Sequence, residues 1–240
     1  MSEETARKIG EQARKYDIQI SVHAPYYINL ANPENIDNNY RYIASSIRLM
    51  QAMDGERLVV HLGAQGKLPR EQALENVASG LRTIIRRLDA EGLGDFLMCI
   101  ETMGQYSRIG NVAEVCDFCK IDKRIIPTLD FGHINCLLQG ELKTNFDKIP
   151  EIMDFVESKI GSEKLKKVHI HWSAIEFSKA GETKHTTLDD EKWNFSHIPL
   201  FDIIRQKGLQ PTIICESMRT MVEDAERLAR EFMLCTDNLI

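Results

Sequence analysis

The sequence predicts an α/β fold built on a parallel sheet, either doubly wound or closed as a (β/α)8 barrel. Three observations predict it. Short β-rich runs alternate along the chain with longer stretches of helical periodicity. Most of the short runs are continuously apolar, as strands covered on both faces tend to be. Each run also ends on a histidine or an acidic residue. In a barrel, those C-terminal strand ends converge on the face where active sites sit.

Each element follows in order. Residues 1–16 read as a helix leading into a first strand, residues 18–23. Ile36, Tyr40, Ile43, Ile47 and Met50 then fall at helical spacing and form one apolar face. The second strand is 57–61. Leu74, Val77, Leu81, Ile84 and Leu88 make the next helix face, with Pro69 near its start, where proline is tolerated. The third strand is 96–101. Asn111 and Glu114 have the spacing of a cap before a short helix ending near Lys120. A fourth strand, 125–130, is followed by a helix carrying Ile149, Ile152, Val156 and Ile160 on one side. The fifth strand is 167–171. Residues 179–190 read as a polar loop, and His197 as a residue that caps or packs the next helix. The sixth strand is 212–216, and Met221, Ala225, Leu228 and Phe232 form a last helix face. No low-complexity segment or Gly/Ser linker interrupts this rhythm, so residues 1–240 are expected to form a single domain.

The 240 residues are 43% hydrophobic and 28% charged, a balance that excludes a disordered, collagen-like or disulfide-scaffold chain. No run approaches the roughly 18 apolar residues of a membrane span. The start, Met1-Ser2-Glu3-Glu4-Thr5, has neither the basic residues nor the apolar stretch of a secretion signal, which predicts a cytoplasmic protein. The cysteines at 99, 116, 119, 136, 215 and 235 are then expected as buried thiols, not disulfides. Cys116 and Cys119 make a lone C-x-x-C, read as helix packing. The net charge of −6 argues against a nonspecific nucleic-acid sponge. It does not argue against nucleic acid altogether, because bound cations make an acidic sequence locally positive.

The strand ends carry the chemistry. They are His23, His61, Glu101, Asp130, His169 or His171, and Glu216. Singly, each reads as a packed or solvated strand-end residue. Together they read as a multi-metal site, because buried carboxylates are costly unless a cation neutralises them. Mixed imidazole and carboxylate donors suit Zn2+, with Mn2+ or Fe2+ as alternatives. His133, just past Asp130, and His185, in the polar loop, add two more donors. His169 and His171 point to the same side of one strand, so one serves as ligand and the other supports it.

These residues resemble the endonuclease IV family, zinc-dependent apurinic/apyrimidinic (AP) endonucleases with a xylose-isomerase-like TIM barrel. His23-Ala-Pro-Tyr26-Tyr27-Ile28-Asn29-Leu30 matches the family's H-x-x-Y-x-I-N-L segment. His61-Leu62-Gly63 matches H-P-G with Leu for Pro. Glu101 through Gly110 matches E-x-x-x-G-Q-x-S-x-x-G with one residue fewer between Glu101 and the Gly104-Gln105 pair. Asp130-Phe-Gly-His133 matches D-T-C-H in its two ligands, and Glu216 matches the glutamate that ends the last strand. The resemblance implies two or three zinc ions. His23 and His61 would hold one, with Glu101 bridging to a second that Asp130, His169 and Glu216 complete. His133 and His185 would hold a third. It implies cleavage of double-stranded DNA 5′ to abasic sites in base excision repair, with Glu101 orienting the attacking nucleophile. Tyr26 and Tyr27 match loop positions that probe the DNA minor groove.

The sequence departs from the family in three places. The family's D-R-H is Thr183-Lys184-His185 here, so its aspartate falls on Thr183, with Glu182 adjacent as a substitute. The family's H-x-N-D is His169-Ile170-His171-Trp172. The His23 strand corresponds to the third strand of the family barrel, so six strands are expected and the first two βα units are missing from this chain. Such a remnant would leave two open sheet edges, lowering stability and DNA affinity. A sugar isomerase or epimerase of the same barrel superfamily, holding one divalent ion, is the alternative. A binding protein that kept the metal core without catalysis is a third.

Overall fold

A computed structural model describes residues 1–237. Its helices and strands alternate in chain order as far as β4. They are α1 (Glu3–Lys15), β1 (Ser21–His23), α2 (Ile36–Ala52), β2 (Arg57–Val60), α3 (Arg70–Ala90), β3 (Leu97–Glu101), α4 (Val112–Cys119) and β4 (Ile125–Asp130). After these come α5 (Phe131–Leu137), α6 (Lys148–Ile160), α7 (Ser162–Lys166), β5 (His169–Trp172), β6 (Ile175–Ser178) and β7 (Gly181–His185). The chain ends with α8 (Ile198–Lys207), β8 (Thr212–Cys215) and α9 (Met221–Asp237). It divides into two compact units, Met1–Glu101 with Ser107–Pro127, and Thr102–Tyr106 with the chain from Thr128 onward.

In the first unit β1, β2 and β3 run parallel in that order, with His23 beside Val59 and Val59 beside Cys99. The start of β4 follows them, where the Met98 N–H donates to the Arg124 carbonyl at 2.9 Å. The strands are apolar because helices cover them. α2 buries Tyr40, Ile43, Ile47 and Met50, and α3 buries Val77, Leu81, Ile84 and Leu88, nearly the faces the spacing predicts. α4 opens on the expected capping box between Asn111 and Glu114. The Glu114 carboxylate also grips Arg70 at 2.6 and 2.8 Å, tying the starts of α3 and α4 together. The first strand begins later than predicted. Asp17 takes a left-handed turn (φ 54°), and the Ile18 N–H closes α1 onto Ala13, so residues 18–20 belong to the helix exit.

In the second unit the end of β4 pairs with β5, and β5 with β8, all parallel. β5 also starts later than predicted, because the Val168 N–H is still closing the turn of α7. The predicted polar loop contains a hairpin: β6 and β7 pair antiparallel around a turn that Gly181 completes at φ +106°. The face predicted for α9 is only partly buried, since Met221 and Ala225 are exposed while Leu228 is covered. Cys99, Cys116, Cys119, Cys136 and Cys215 are buried thiols, and Cys116 and Cys119 pack within α4 as expected. The side chain of Cys235 lies outside the described residues. Among the described residues, no helix is long and apolar enough to cross a membrane.

Candidate metal centre

In the first unit the C-terminal ends of β1, β2 and β3 bring His23, His61 and Glu101 together. The Nε2 atoms of His23 and His61 lie 3.1 and 2.9 Å from the same oxygen of buried Glu101. His23 Nδ1 sits 2.7 Å from the Ala24 carbonyl. A carbonyl only accepts, so Nδ1 carries the proton and Nε2 turns its lone pair toward the carboxylate. Two lone-pair donors facing each other need a cation or a proton between them, which is the donor set of a divalent-ion site.

The loop after β1 is built to hold His23 in place. The Ala24 N–H donates to the Val59 carbonyl and the Leu30 N–H to the Leu62 carbonyl, laying the loop along β2. Asn29 and Asn39 exchange two hydrogen bonds at 2.8 and 3.2 Å. Gly63 accepts this packing only because it has no side chain. Its φ is +108°, and a Cβ there would lie 2.3 Å from Asn29 Oδ1. The two motifs that the sequence presents separately, residues 23–30 and 61–63, are therefore packed on each other. Tyr26 and Tyr27 stand on the outside of the loop, 70% and 55% exposed, with Tyr27 edge-on to Tyr42.

In the second unit, Asp130, His171 and Glu216 form one group. His171 Nδ1 lies 3.3 Å from Glu216 Oε1 and 3.8 Å from Asp130 Oδ2. Strand register selects His171: Asp130 stands beside His171, whereas His169 stands two residues deeper beside Thr128. His169 does not join this group, and its buried ring lies edge-on to His171 with centroids 5.2 Å apart. The other oxygen of Asp130 caps α5 by accepting the His133 N–H at 2.7 Å.

His133, Glu182 and His185 form a third group. His133 Nε2 lies 3.3 Å from Glu182 Oε2, and His185 Nε2 lies 3.9 Å from Glu182 Oε1. The His133 Nδ1–H donates to the Thr102 carbonyl at 2.9 Å, so its Nε2 lone pair also faces a carboxylate. Ser173 Oγ lies 3.2 Å from His185 Nδ1 and holds that ring from behind. Thr183, where the resemblance would place an aspartate, faces outward and donates its hydroxyl to the Glu176 carbonyl. Sequence reading missed Thr102, whose hydroxyl also accepts the Asp130 N–H at 2.9 Å. The Thr102 residue type carries no signal; only its position after Glu101 hints at it. His197 lies outside all three groups. It packs on Phe201 and pairs with Glu231 at 2.6 Å, as its packing role predicts. Burial lowers its pKa more than Glu231 raises it.

A parallel α/β protein with histidines and carboxylates at its strand ends is of the barrel class, and three of its side-chain groups could hold a metal ion. Residues 1–237 match the family described as "Xylose isomerase-like TIM barrel", and the chain belongs to that family. An uncharacterised protein of Methanocaldococcus jannaschii is 32% identical over 90% of this chain and 77% of its own length. A "Probable endonuclease 4" of Mycoplasma pneumoniae is 25% identical over 75% of this chain, which spans 62% of that relative's length. Among solved structures, endonuclease IV from Thermus thermophilus superposes with a TM-score of 0.70, at 18% identity over 96% of this chain and 81% of its own. A D-tagatose 3-epimerase-like protein superposes with a TM-score of 0.73, at 21% identity over 100% of this chain and 86% of its own.

Proposed function

We propose that the chain is a metal-dependent phosphodiesterase of the endonuclease IV kind, cutting double-stranded DNA 5′ to abasic sites. The observation that carries this reading is the number of donor groups. Three of them, His23–His61–Glu101, Asp130–His171–Glu216 and His133–Glu182–His185, exceed what a single-ion sugar isomerase needs. The likeness to the endonuclease 4 relatives supports the same reading.

The residues fit divalent ions, since each group offers neutral imidazole and carboxylate donors. Zn2+ suits this mixture best, with Mn2+ and Fe2+ as alternatives. When bound, such ions attract a phosphodiester, polarise it and lower the pKa of water. The protein's own contribution is orientation. His23, His61 and Glu101 would hold an ion, and the Glu101 carboxylate, fixed by the two histidines, would aim the attacking nucleophile. His171 is the β5 ligand in this reading, with His169 behind it. Tyr26 and Tyr27 are positioned by their loop to contact the DNA minor groove.

A second reading, a sugar isomerase or epimerase, is favoured by the Asp130–His171–Glu216 group, which suffices alone for one ion. Incision of a duplex with one abasic site, with Zn2+ or Mn2+, tests the two. Cleavage 5′ to the site that vanishes in Glu101→Ala, with two or more ions bound, supports the nuclease. A folded protein holding one ion and leaving the duplex intact would sink it.

A further inference from the structure

The β6–β7 hairpin departs from simple alternation at the third donor group. Successive side chains of a regular strand point to opposite faces, so residues three apart face opposite sides. Glu182 and His185 are three apart, yet both belong to the group around His133. The pairing explains how. Ile175 opposes His185 and Glu176 opposes Lys184, but Phe177 opposes Glu182. Thr183 is skipped. It is the extra residue of a β-bulge, and it and Lys184 are exposed one after the other on the outer face. The extra residue resets the alternation and returns Glu182 to the face of His185.

The bulge is fixed from both sides. Outside, the Thr183 hydroxyl donates to the Glu176 carbonyl at 2.8 Å. Inside, the backbone of Glu182 is clamped: its N–H donates to the Gly104 carbonyl at 2.8 Å, and its carbonyl accepts from Gln105 Nε2 at 3.2 Å. Gly181 bridges to Gln105 just before it. The strand cannot slip to bring residue 183 inward without breaking these bonds.

We infer that the bulge at Thr183 seats Glu182 as the carboxylate of a His133–Glu182–His185 divalent-cation site, with residue 183 excluded from it. The inference rests on the metal reading above and deepens it. A bulged Glu-x-x-His here does the work that the resemblance assigns to Asp-x-His. Two histidines and one glutamate leave a coordination position open, as a site that binds a substrate oxygen requires.

Zinc stoichiometry tests the inference without any DNA, so it stands or falls apart from the nuclease reading. The full chain is stripped by chelation, reloaded with Zn2+ and weighed by native mass spectrometry, with affinity read by calorimetry. Glu182→Gln is expected to hold one zinc ion fewer than the parent. Glu182→Gln with Thr183→Asp is expected to stay one short, because residue 183 faces outward. Recovery of the lost ion in the double variant would overturn the inference, as would a full count in Glu182→Gln. Thr183→Asp alone covers the case in which the glutamine variants do not fold. It is expected to keep the parental zinc affinity, and a tighter site would place residue 183 inside and overturn the inference.

Discussion

Gly104 shows how closely a single position constrains the metal groups. A Cβ there would lie 2.8 Å from His133 Cδ2 and 2.9 Å from Glu182 Cβ, so one added methyl group must displace a donor. Gly104→Ala is expected to cost about 1–3 kcal/mol, the usual range for overpacking, and to weaken Zn2+ binding as well. Urea unfolding and zinc calorimetry on the same sample check both; unchanged zinc affinity would contradict the close approach. The two histidines of β5 make a second contrast. His171→Ala is expected to remove a bound ion, whereas His169→Ala keeps the ion count and loses stability by leaving a cavity. Equal loss of zinc in both would reverse the assignment. The residue types in these groups were legible in the sequence, because six successive β-rich runs each end on a histidine or an acidic residue. Which of His169 and His171 joins the group was not. That depends on the pairing of Asp130 with His171, and register is a property of two strands that neither states alone.

At the scale of the element, helix faces read well where one side is fully covered. The α3 face of Val77, Leu81, Ile84 and Leu88 is buried as its spacing predicts, and Leu81 is inaccessible to solvent. Leu81→Ala is therefore expected to destabilise by about 2–5 kcal/mol in chemical denaturation, the range for a large cavity in a core. A loss under about 1 kcal/mol would mean that α3 repacks freely. The α9 face read less well, since apolar spacing does not reveal that Met221 and Ala225 meet solvent. The hairpin was missed because its short strands lie in a polar stretch, where alternation of two four- or five-residue runs is weak evidence. The buried thiols give an element-level test. Burial pushes Cys99 on β3 and Cys136 on α5 up to about 12, and Cys215 on β8 up to about 11, from the ordinary 9.0. In the folded chain they remain protonated and unreactive toward iodoacetamide at pH 8, and react on unfolding. The sign for stability follows: the thiols favour the fold fully below pH 9, and that contribution fades as pH climbs toward their folded values. Rapid native alkylation of all three would show that β3, α5 and β8 open.

For the whole chain, the metal reading makes bound ions part of the stability. Donors that converge only in the folded state bind ions that the unfolded chain cannot hold as well, so ions stabilise by mass action. A site saturated to 100 times its dissociation constant adds about 2.7 kcal/mol. Chelation is expected to lower the thermal midpoint, and Zn2+ to restore it. An unchanged midpoint would remove the metal reading from all three groups together. The expectation of this dependence comes from the clustering of imidazole with carboxylate, which the sequence already suggests. The division of those donors between two compact units was not, because no linker composition marks the boundary.

The bulge at Thr183 also bears on how this chain can be related to its kin by descent. A codon gained or lost in the middle of β7 changes the count between carboxylate and histidine from two to three, yet the strand absorbs it as a local kink and the donor face is kept. One inserted codon and one change of acidic residue are then enough to relate the two patterns, with the donor face kept in both. A position-by-position comparison without a gap sets Thr183 against the aspartate and scores the centre as decayed. With one gap, Glu182 stands in that column and the centre counts as inherited.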